Sequence, residues 1–156
     1  PYYSFTVGDT QFILLNTEDP SAPGKITGKQ LSWLRQELTR PALLRIIFLH
    51  RPLFPGPLAR GYGLDRHGKE RDELHTLFVA AGVAAVFSGH EHAYDRREKD
   101  GIPYIITGGG GSVLHRLNEE SGGFYHYIIA KRKNRGYLFT VFDTTGKARD
   151  RFSIDR

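Results

Sequence analysis

The 156-residue chain contains no cysteine, which excludes disulfides, thiolate zinc sites and cysteine nucleophiles together. It contains no apolar run near the ~20 residues that a membrane-spanning helix needs. Its opening residues PYYSFTVGD lack the basic lead and apolar centre of a signal peptide, and compartment cannot be read from the sequence. Acidic residues are the minority: 17 Asp and Glu stand against 22 Lys and Arg, for a net charge of +5. That balance favours anionic ligands, phosphates among them. Without thiolates, any metal site must be built from His, Asp, Glu or Asn, donors that suit manganese, iron or zinc.

What is present is globular, with 39% hydrophobic and 12% aromatic residues, enough for the packed core of one domain. YYSFTVG (2–8) and QFILLN (11–16) read as paired strands around a Gly-Asp-Thr turn. Thr27, with Gln30 three residues on, forms a capping-box pattern before Leu31, Leu34 and Leu38 at helical spacing, and Pro41 ends the helix. LLRIIFL (43–49) and VAAVF (83–87) are buried strands. A second amphipathic helix lies between them over 69–81, with Leu74, Leu77, Phe78 and Ala81 on one face. The Pro- and Gly-rich stretch 51–68 is a long loop of the kind that is functional or disordered. IPYIIT (102–107) is another strand. Then 124–130, 137–143 and 147–154 form an antiparallel meander. The fold class is therefore α/β with a mixed sheet followed by antiparallel C-terminal hairpins, in one domain over 1–156.

Histidines follow two of the buried strands directly: His50 after 43–49, and His90 and His92 after 83–87. Because those strands are expected to be parallel neighbours, all three imidazoles fall on the carboxyl edge of the sheet, where open α/β sheets bind ligands. The residues alone leave two readings open, a metal site or ordinary hydrogen-bonded imidazoles. Three other His-x-His chemistries fail. Zinc deaminases require a Cys pair, helical zinc proteases need a second His where Tyr94 stands, and the nearest following glutamate, Glu98, is too far on for a cupin.

The ordered set YYSFTVGDTQFILLNTE, GKQLSWLRQEL, FLHRPLF, FSGHEHAYDRR and YIITGGGGS resembles the C-terminal half of a calcineurin-like metallophosphoesterase of the purple-acid-phosphatase-like branch. The resemblance covers about residues 2–112. It implies a four-layer α/β/β/α sandwich, with the terminal hairpins belonging to its second sheet. The implied function is phosphoric ester hydrolysis by a hydroxide bridging two divalent ions (two of Mn, Fe or Zn), with a phosphate ester as substrate. Carried over by motif, His50 and His90 would bind one ion and His92 the other. Tyr94, Arg96 and Arg51 are candidates to meet the substrate phosphate, with an ion pair to Asp95 or Glu98 the competing role for Arg96.

The family's other ligands, an Asp-x-His pair, a bridging Asp and a Gly-Asn-His motif, do not occur in this sequence. Gly8-Asp9 is the one weak candidate, without the family's flanking residues. The expectation is a fragment lacking the N-terminal βαβ half, inactive by itself. A non-catalytic binding or assembly module on the same fold is the alternative. Loss of that half would expose strand 43–49 or its neighbours and invite homo-oligomers. KRKNRG (131–136) reads as a solvated hairpin turn rather than a nucleic-acid site, and His67, His75, His115 and His126 as structural or exposed. GGGGS (108–112) lacks the Lys-Ser/Thr of a phosphate loop and reads as a tight turn.

Overall fold

A computed structural model of the chain describes residues 1–56 and 59–155. Six strands form one mixed sheet: β1 (Tyr3–Val7), β2 (Thr10–Leu15), β3 (Leu44–Leu49), β4 (Ala85–Ser88), β5 (Tyr94–Lys99) and β6 (Ile102–Thr107). Their spatial order is β1-β2-β3-β4-β6-β5. The inner four run parallel and the two outer strands pair antiparallel. Three further strands, β7 (His126–Lys133), β8 (Gly136–Asp143) and β9 (Ala148–Ile154), make a separate antiparallel meander.

Strand alternation divides the core in two. On one face Ile13, Ile47, Leu49, Val86 and Tyr104 pack under α1 (Gly28–Glu37) and α2 (Gly68–Ala80), through Leu34, Leu74 and Phe78. On the other, Leu44, Ile46, Phe87 and Ile105 meet Phe139, Val141, Phe152 and Ile154 of the meander. The inner strands are buried on both faces, which is why their sequences read as nearly continuous apolar runs. Helices, large sheet and small sheet are three successive layers of the expected sandwich.

One expectation about the sheet needs correction. Strand β3 is not an edge: it lies between β2 and β4. The exposed edge is its second neighbour β1, whose Tyr3, Phe5 and Val7 are each close to half exposed. The charged run YDRREK, assigned to no element from the sequence, forms β5, an edge strand whose ladder partner is β6. Edge strands tolerate charge on both faces, so no apolar alternation marks them.

The capping box is also absent. Thr27 is the N-cap of α1 but its side chain makes no cap bond. Gln30 instead reaches across to β2, accepting from Asn16 N at 2.7 Å and donating to Asn16 O at 2.9 Å. Thr27→Ala is therefore expected to cost less than about 0.5 kcal/mol, below the usual penalty for losing a cap. Gln30→Ala, which strands two backbone groups of the half-buried Asn16, should cost about 1–3 kcal/mol. Urea denaturation of the two variants checks the order, and equal losses would refute it.

Loop 51–68 is closed at its neck by Leu64 N donating to Pro52 O at 2.8 Å. Phe54 anchors it, meeting the rings of His75 and Tyr104 edge-on at 5.2 and 4.9 Å. The Asp65 carboxylate accepts from Gly61 N and Gly63 N, and a short 3-10 turn, Leu64–His67, leads into α2. Pro57 and Leu58 of this loop lie outside the described residues.

Candidate metal centre

The parallel ladder puts the ends of β2, β3 and β4 side by side, since Leu15 pairs with Leu49 and Leu49 with Ser88. The residues after each strand end share one edge: Thr17 and Glu18, His50 and Arg51, and His90 to His92. The edge is tied at the backbone, Gly89 N donating to His50 O at 3.0 Å. Arg51 is locked from β2, because its N–H donates to Thr17 Oγ1 and its guanidinium takes both oxygens of Glu18 at 2.7 and 2.9 Å.

No helix holds the histidine motif; two tight turns do. Glu91 N donates to Gly89 O at 2.7 Å across His90, and Ala93 N to Glu91 O at 2.8 Å across His92. His90 has φ of 66°, so the first is a γ-turn of the rarer, strained kind. Strain of that sort, on the order of 1–3 kcal/mol, survives where the surroundings over-determine the backbone, and functional sites are the usual place.

His50 Nε2 and His90 Nδ1 face one another at 3.1 Å, their rings nearly perpendicular. As neutral imidazoles one donates to the other. Two nitrogens bound to one ion at about 2.0–2.1 Å sit roughly 3 Å apart, so the separation also fits a shared cation. Burial holds the His90 pKa below its ordinary 6.5, assisted by the positive charge of Arg51 and by His50; the imidazole is kept in the neutral form that ligates metal.

His92 stands apart from that pair. Its Nδ1 donates to Val113 O at 2.8 Å, which fixes the tautomer and leaves Nε2 with the free lone pair, the usual support of a metal-bound imidazole. Among the described residues no group of three or more His, Asp or Glu side chains is arranged to hold an ion. The imidazoles thus share one edge as a facing pair and a third ring, and they do not by themselves complete an ion site.

The remaining candidates divide. Arg51 lies beside the histidines. Arg96 and Tyr94 are committed to Asp150 of β9, at 2.7 Å each, with the Arg96 guanidinium over the Phe152 ring; neither Asp95 nor Glu98 pairs with Arg96. Burial and then the shared carboxylate push the Tyr94 phenol above its ordinary range. Asp9 sits in the turn before β2, at the opposite edge of the sheet, bound to Arg132. Gly108 and Gly109 serve close packing, against the Glu91 backbone and the His126 ring respectively.

Three residues at this edge escaped the sequence reading. Glu18 stands three residues after the end of β2, so its place was legible from the strand. Glu91, buried between the two ligand candidates, accepts from Gly56 N of the long loop at 2.8 Å, and burial pushes its carboxyl up from the usual range. His115 donates its N–H to His92 O at 3.0 Å and brings its ring to 5.8 Å from the His92 ring. No spacing signal pointed to it.

A mixed sheet ending in paired imidazoles and backed by an antiparallel sheet is the C-terminal portion of a metallophosphoesterase sandwich. No family model matches the chain. It is 32% identical over 124 residues to the serine/threonine-protein phosphatase CPPED1 of Pongo abelii, covering 74% of this chain and 40% of that protein. It is 30% identical over 126 residues to probable purple acid phosphatase 20 of Arabidopsis thaliana, covering 72% and 28%. Its fold superposes on purple acid phosphatase PPD1 from yellow lupin seeds with a TM-score of 0.76, over 99% of this chain and 32% of that one, at 19% identity. The chain belongs to the calcineurin-like metallophosphoesterase superfamily, and it spans less than half the length of the curated relatives it matches.

Proposed function

We propose that this chain supplies the imidazole side of a two-ion phosphoric ester hydrolase centre. His50 Nε2 and His90 Nδ1 would hold one divalent ion and His92 Nε2 the other. The observation that carries the reading is the pair of ring nitrogens aimed at each other from adjacent strand ends, together with the carbonyl-locked Nδ1 of His92. Bound ions of this kind supply Lewis acidity toward a phosphoryl oxygen and lower the pKa of an attacking water. Manganese, iron and zinc are the ions that suit imidazole and carboxylate donors.

The chain's own residues have three tasks in this scheme. The β3 and β4 termini fix the spacing of the ligand nitrogens. Arg51, oriented by Glu18, places positive charge at the rim, where it attracts a phosphate ester. Val113 O keeps His92 in the ligating tautomer. No carboxylate completes a group of three donors with the imidazoles among the described residues, so the isolated 156 residues should hydrolyse phosphate esters poorly or not at all.

The test is hydrolysis of p-nitrophenyl phosphate with added manganese, iron or zinc. It is run on the chain alone and on the chain fused behind the N-terminal portion of a CPPED1 phosphatase. Turnover confined to the fusion, and removed by His90→Ala, is expected. Robust turnover by the unfused chain would refute the division of ligands, and an inert fusion that binds both ions would refute the reaction.

A further inference from the structure

We propose that Glu91 is a positioning residue for the histidine motif: its buried carboxyl straps loop 51–68 to the strained turn and thereby sets where the His90 and His92 rings point. The proposal rests on the reading of those histidines as ligands. Glu91 is 6% exposed, a costly place for a carboxyl group unless it is hydrogen-bonded. Its partner is the backbone N–H of Gly56, at 2.8 Å in a buried bond.

The strap acts at the middle of a segment that cannot hold itself. Gly89 to Ala93 consists of two consecutive three-residue turns with the positive φ of His90 in the first. Several contacts oppose its relaxation. The Glu91 carboxyl is held by loop 51–68. The Glu91 backbone lies against Gly108, where any Cβ would overlap the Glu91 carbonyl oxygen. His92 is tied to Val113 O. Of these, the carboxyl is the one that brings in the long loop, and that loop is itself anchored by Phe54 on His75 and Tyr104.

The fit at Gly56 is close. A Cβ there would come to 2.8 Å from Glu91 Oε2, so a residue larger than glycine would push the carboxyl out of its seat. The link can therefore be broken from either end. Glu91→Ala removes the acceptor, Glu91→Gln retains a carbonyl oxygen able to accept from Gly56 N, and Gly56→Ala leaves Glu91 in place but displaces it.

Imidazole nitrogen spectra of the metal-free chain read the ring geometry directly, and amide hydrogen exchange at Gly56 reads the strap. In the wild type the Gly56 amide should be protected and His92 should show its Nδ1–H tautomer. Glu91→Ala and Gly56→Ala should both expose the amide and shift or average the His90 and His92 signals, and Glu91→Gln should restore both. Zinc affinity should fall about tenfold to a hundredfold in the two disruptive variants, the range typical for residues that orient metal ligands, and recover in Glu91→Gln.

Unchanged His90 and His92 signals in a folded Glu91→Ala or Gly56→Ala chain would overturn the proposal. So would failure of Glu91→Gln to restore them. A wild-type chain that binds no zinc would instead sink the ligand reading, and the imidazole spectra would still decide the role of Glu91.

Discussion

Replacing Gly108 by alanine should lower the free energy of unfolding by about 3 kcal/mol or more, at the upper end of the range for forcing atoms into a filled space. The cost arises because the obstacle is backbone: the added methyl meets the Glu91 carbonyl oxygen, its carbon and the His92 nitrogen. A flexible side chain could swing aside; two peptide groups pinned in consecutive tight turns cannot. Strand β6 would have to retreat from β4, or the histidine turn would have to open. Gly110, two residues on, has nothing within 4 Å of a built Cβ, and Gly110→Ala should stay within about 0.5 kcal/mol of wild type, as surface changes do. Urea denaturation of the two variants decides the matter. Comparable stability for both would mean that the GGGGS segment is only a loose connection.

Removal of either member of the facing imidazole pair, by His50→Ala or His90→Ala, should weaken zinc binding to the isolated chain by at least about a hundredfold. One nitrogen alone retains no chelate, and structural zinc sites are nearly always built from four ligands. His92→Ala should have a smaller effect on the same ion, since its free nitrogen serves the other position. Titration calorimetry with zinc at neutral pH measures all three. Equal losses in the three variants would show that the imidazoles act on a single ion, and no loss in any would remove the metal reading from this edge. His50 is exposed, so its replacement should leave the fold intact and the binding data interpretable.

Much of this geometry was legible in the chain. Apolar runs of five to seven residues alternating with helices of period 3.6 read as interior parallel strands, and whatever follows such strands lands on their carboxyl edge. That argument is enough to put His50, His90 and His92 on one edge. The residues that support them were not legible, for a physical reason: support is exerted across the fold rather than along it. Glu91 meets Gly56, Arg96 meets Asp150, and Gln30 meets Asn16, and none of these pairs leaves a local spacing. Gln30 misled outright, because a Thr-x-x-Gln pattern suits a capping box and a cross-element clasp equally well. Strand β5 escaped because an edge strand needs only half its hydrogen bonds satisfied by a partner and no apolar face at all.

The meander and the large sheet also differ in how far along the chain their partners lie. Each meander strand pairs with the next across a short turn, Lys133 with Gly136 and Phe142 with Ala148. The inner strands of the large sheet join Leu15 to Leu49 and Ile46 to Ala85 through intervening helices. Closing those distant pairs carries the greater entropic cost before any contact rewards it. The small sheet therefore should assemble first and offer Phe139, Val141 and Phe152 as an apolar platform on which the parallel strands dock. The edge that carries the histidines, built wholly from the late-forming pairs, would be the last part of the molecule to become competent.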